Sequence, residues 1–169
     1  MAAHLSRYER TSARGEVKKL AIEDQLKHTL EEARIILPGI QALFGFQLVA
    51  VYDSRFSSAL LLSEQRLHLF ATALTAIAMG FALAPTAVHR QAEPYQVSEG
   101  LIRITSWCLT ASLIPIVISI SLDFYLLCRM IVHDLALSFV ISGALFAILV
   151  FLWFVFPLGY RLICRGSRS

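Results

Sequence analysis

Four apolar stretches, at residues 35–52, 67–88, 104–122 and 135–156, occupy most of this 169-residue chain, and none contains a Lys, Arg, Asp or Glu. Each is close to the ~17–25 residues that a helix needs to cross a ~30 Å hydrocarbon core. A helix packed in a soluble core carries a polar stripe every few residues, and these stretches do not. Charged residues make up 16% of the chain and mean hydropathy is +0.66, against roughly 25% charge in a soluble domain. The expected fold is an all-α integral membrane protein: a four-transmembrane-helix bundle preceded by an N-terminal amphipathic cytoplasmic helix. Once the spans are subtracted, no length remains for a soluble catalytic domain, so no enzyme is expected.

Placement of charge gives an orientation. With four spans both termini share a side, and that side carries twelve of the fifteen Lys and Arg. The positive-inside rule puts it in the cytoplasm. The first residues have no apolar run of the kind a signal peptide needs, and no Gly at position two for myristoylation. Residues 1–15 are polar and expected as a disordered tail. Residues 16–34 read as a cytoplasmic or interfacial amphipathic helix, residues 35–163 as the transmembrane domain, and residues 164–169 as a basic tail. Cys108, Cys128 and Cys164 form no paired motif and are expected as small packing residues.

Within the first stretch, Pro38 is expected in the first turn of the span, where its missing N–H costs little. Gln41, Gly45, Leu48 and Tyr52 share a helical face, while Gln47 points away from it. The two amides therefore serve different neighbours, either as interhelical hydrogen bonds or as the lining of a path. Ala71, Thr75, Ala78 and Ala82 form a smooth stripe on the second span. Thr105, Cys108, Ser112, Pro115 and Ser119 form one on the third, and Ser112 or Ser119 could satisfy the carbonyl freed by Pro115. Ser63, Ser98 and Asp134 are the expected helix N-caps. Ser138 with Ser142 and Gly143 with Ala147 give small-residue pairs on the fourth span, whose second half is aromatic.

Spans one and two are antiparallel neighbours by their short connection. That brings Glu31, Glu32 and Arg34 near His89 and Arg90 at the inner surface, and Asp53 and Arg55 near Arg66 and His68 at the outer one. Interfacial salt bridges that set depth are the expected role. His68, Asp123, His133 and Asp134 lack metal-ligand spacing, and neither a metal nor another cofactor is expected. Balanced charge gives nucleic acid no footing. A His-based pH sensor at His68 or His89 has only the ordinary imidazole pKa behind it.

The segments EEARIILPGIQALFGFQL (31–48), LHLF (67–70) and APTAVHR (84–90) carry a resemblance, through Glu32, Arg34, Pro38, Gly39, Gln41, Gly45, Phe46, Gln47, Phe56, His68, Pro85, His89 and Arg90. The chain resembles a bacterial family of small four-span membrane proteins of unknown function, some of whose members carry a sodium:proton antiporter label. The resemblance implies a bacterial inner-membrane protein and supplies no residue roles. Ion-coupled carriers hold an ionisable group at membrane depth, and the apolar stretches supply none. The expected function is therefore a structural or accessory subunit, whose partners are the lipid bilayer and either further copies in a homo-oligomer or the subunits of a larger membrane complex. The alternative is a small oligomeric channel or carrier with a path lined by Gln41, Gln47, Ser112 and Ser119.

Overall fold

The computed structural model describes the backbone of residues 2–54, 56–92 and 99–166, and side chains at 24–25, 27–54, 56–91 and 99–162. Among the described residues there is no strand. The helices are α1 (Ala2–Val51), the short α2 (Phe56–Ala59), α3 (Leu62–Ala92), α4 (Glu99–Val132), α5 (Leu135–Val150) and α6 (Phe156–Gly166), with a π-helical turn at Phe151–Val155 joining the last two. Four segments are long and apolar enough to cross a membrane: Lys27–Val51, Leu62–Gln91, Glu99–Val132 and Leu135–Leu162. The four-helix membrane fold expected from the apolar stretches is the one observed.

α4 is the centre of the bundle and packs against α1, α3 and α5. Its pairing with α3 is the most extensive, and the two small-residue stripes explain why. Ala71, Thr75 and Ala78 are fully enclosed, as are Thr105, Ser112 and Ser119 facing them. Small side chains let two helix backbones approach closely, so close packing replaces the hydrophobic drive that lipid removes. A second contact joins Ile40 of α1 to Ala78, Ala82 and Ile116, with Trp153 of the π turn packed against it.

Helix ends follow their local chemistry, with one correction. α3 begins at Leu62, so Ser63 lies inside its first turn instead of capping it. The cap comes from Glu64, whose Oε2 accepts the Leu61 N–H at 2.9 Å, the reach-back half of a capping box. Glu64 Oε1 also accepts Arg129 Nε at 3.0 Å, tying α3 to α4. Asp134 caps α5 as expected, accepting the Leu137 N–H at 2.7 Å. Ser98 lies outside the described residues.

Two prolines also behave differently from expectation. α1 is one continuous helix over Ala2–Val51, so no break separates residues 2–15, the helix expected over 16–34 and the first span; Pro38 sits in its interior. The helix formers on both sides carry the turn across it, at the loss of one backbone hydrogen bond to the Arg34 carbonyl. In α4, Ser112 donates to the Leu109 carbonyl and Ser119 to the Ala71 carbonyl of α3, so neither serves the Ala111 carbonyl that Pro115 leaves free. Near Pro157 the chain widens: the Phe156 N–H bonds the Phe151 carbonyl, five residues back. A widened turn relieves the clash that a proline ring makes with the turn before it.

Candidate functional site

The most concentrated polar chemistry inside the bundle joins α1, α3 and α4. Gln47 is buried on α1 and His68 on α3, and Asp123 on α4 turns its carboxylate between them. Gln47 Nε2 donates to Asp123 Oδ2 and, at 2.8 Å, to Ser119 Oγ. His68 Nδ1 lies 3.1 Å from Asp123 Oδ1, and its Nε2 lies 2.9 Å from the Gln47 carbonyl oxygen. Thr75 Oγ1 contacts Ser119 Oγ at 2.7 Å and completes the chain of hydroxyls on the α3 side. Phe56 of α2 closes the His68 ring edge-on, with centroids 5.2 Å apart.

The partners of His68 restrict its protons. A backbone carbonyl only accepts, so Nε2 carries hydrogen. The contact with Asp123 is then a hydrogen bond only if one further proton lies between them, on Nδ1 or on the carboxyl. The pair can thus hold a proton between two helices. Its orientation is fixed by Gln47, whose amide places one donor on the carboxylate and one on the Ser119 hydroxyl, and whose own Oε1 is enclosed without a partner.

Depth follows from helix length. α4 has 34 residues, or ~51 Å at ~1.5 Å per residue, and overreaches a ~30 Å core by ~10 Å at each end when centred. Asp123 stands nine residues before its end at Val132, ~14 Å in, which that centring puts at the edge of the hydrocarbon. Ending the third span at residue 122, where the first carboxylate appears, hid this. The helix continues, and the Asp123 carboxylate meets Gln47 and His68 beside a cavity of about 300 Å³.

The expected clusters divide. His68 leaves the outer-surface group and joins the buried network, while Asp53 and Arg66 stay exposed and Arg55 lies outside the described residues. At the other end Glu31, Glu32, Arg34 and Arg90 are exposed. Glu31 pairs with His28 at 3.8 Å, on its own helix. Arg34 and His89 are brought together on one groove of about 320 Å³ between α1 and α3. Gln41 and Gly45 face outward, and a Cβ added at Gly45 meets nothing within 4 Å, so the face expected to receive a helix is open within one chain. Within one chain Gln41 and Gln47 therefore face different surroundings. Among the described residues no three His, Cys, Asp or Glu gather as a metal site, and Cys108 and Cys128 are free and buried.

No curated protein and no solved structure matches the chain. A family profile does, over residues 15–157, which is most of the sequence and includes every member of the buried network. The chain belongs to the family of unknown function DUF6328.

Proposed function

We propose that the protein is a non-enzymatic subunit of the bacterial inner membrane, with both termini cytoplasmic, that assembles with further copies or into a larger membrane complex. The observation that carries this reading is Gln41. It lies on an exposed face within the first apolar stretch, and its side-chain amide has no hydrogen-bond partner among the described residues. Lipid tails offer an amide nothing, and an unsatisfied polar group in hydrocarbon costs several kcal/mol. A neighbouring subunit meets that need, and Gly45 one turn on leaves room for it. α5 offers a second such face, since Ser138 and Ser142 are its only buried residues.

The test is native mass in mild detergent, extracted from the protein's own membrane, for wild type and for Gly45→Leu, Gly143→Leu and Gln41→Leu. Added side chains at Gly45 and Gly143 meet open space within the chain, so these variants keep the fold. Loss of the larger species in any of them identifies the interface. A wild type that runs as a single chain alone ends the reading.

A second reading, a small channel or carrier, is favoured by the His68–Asp123 pair, the ionisable pair at membrane depth that coupled carriers use. Its path would run by Gln47 and Ser119 without Gln41. Proton flux in proteoliposomes that Asp123→Asn abolishes would support it; vesicles that stay proton-tight with wild type would sink it.

A further inference from the structure

The groove between α1 and α3 at the Arg34 end differs from the grooves beside Gly39 and Gly143, whose walls are almost entirely apolar. Leu30, Ala33 and Leu37 of α1 and Ala82 and Leu83 of α3 line its floor, and Arg34, Thr86 and His89 stand around it. Arg34 immediately precedes the first apolar stretch and His89 immediately follows the second. Both therefore sit where a bilayer's hydrocarbon gives way to its headgroups.

Neither basic group is answered by the protein. Arg34 is exposed and has no ion pair among the described residues. His89 Nδ1 is enclosed and has no hydrogen-bond partner. Arg90 adds a further exposed cation beside them. A guanidinium presents a fork of N–H donors that matches the oxygens of a phosphate, and the Thr86 hydroxyl offers another donor.

We propose that this groove is a binding site for one anionic phospholipid, with its phosphate between Arg34 and His89 and an acyl chain along Leu37, Ala82 and Leu83. The apolar floor continuous with the spans selects a lipid over a free anion. The basic rim selects an anionic headgroup over a zwitterionic one. The site is independent of whether the protein acts as a subunit or as a carrier.

The experiment is native mass spectrometry of the full chain in mild detergent, titrated with phosphatidylglycerol, with phosphatidylcholine, and with phosphatidylglycerol in the presence of millimolar inorganic phosphate. Wild type should retain phosphatidylglycerol at least about fivefold over phosphatidylcholine, and Arg34→Gln and His89→Gln should each remove most of that preference. Arg161→Gln, an exposed cation outside the groove, should not. Equal retention of the two lipids by wild type overturns the proposal, as does an Arg34→Gln protein with undiminished preference. Displacement by inorganic phosphate would also overturn it, by identifying a site for a free anion. Arg34 is exposed, so its variant folds and decides the matter even if His89→Gln does not.

Discussion

Asp123 and Ser119 belong to one network but answer to different energies. Asp123→Leu removes the partner of both the Gln47 amide and the His68 ring, leaving each one hydrogen bond short. An enclosed polar group left unsatisfied costs about 1–3 kcal/mol, so the two together cost about 2–6 kcal/mol. Ser119→Ala removes a neutral hydroxyl whose neighbours keep other partners, a change of about 0.6–1 kcal/mol in a membrane bundle. Unfolding free energies in mixed micelles should separate the two variants by at least about 1 kcal/mol. Equal losses would mean that Asp123 is solvated and that the network does not lock α1 to α4. His133 poses a backbone question of the same size. It sits at φ 59° in the turn before α5, a region that β-branched residues resist. His133→Val should cost ~1–2 kcal/mol in the same titration, whereas His133→Gly should cost little or stabilise.

Among the elements, α3 and α4 were readable and their junction with α1 was not. The alanine and serine stripes follow the 3.6-residue period, a local signal, and every member of both stripes is buried. Asp134 was readable as a cap because its partner is three residues away, and Asp134→Ala should lower stability by about 1 kcal/mol with α5 fraying first in amide exchange. The buried network has no such signature. Gln47 and Asp123 are 76 residues apart, and His68 and Asp123 are 55 apart. No periodicity joins them, and a boundary drawn at the first charged residue put Asp123 outside the span. The cap of α3 was missed for a related reason: Glu64 holds both the helix start and Arg129, and only the second partner makes its burial affordable.

At the scale of the whole molecule, the count of spans was legible because lipid imposes length and apolarity on each, whatever their packing. The relation between spans was less so. Gln41 and Gly45 are expected from the sequence as a packing face, and within one chain that face meets nothing. The bundle is therefore more open than four apolar stripes suggest, with α4 enclosed and α1 and α5 largely uncovered. If subunits cover those faces, the assembled form should resist detergent unfolding in a concentration-dependent way, while Gly45→Leu should unfold at one midpoint over a tenfold range of protein concentration.

The wide turn at Phe151–Val155 acts as a phase shift in the last span. One extra residue in a turn advances every later side chain by ~100° about the helix axis. The inward row that runs through Ser138, Ser142 and Leu149 to Trp153 therefore does not continue along the same wheel, and Pro157 reaches the groove beside Ile36 and Gly39. Relatives that differ by a single residue in this turn would present a different side of α6 to the membrane surface while keeping the same bundle. The terminal segment's orientation is thus set by a length, and a substitution scan that preserves length would never reveal it.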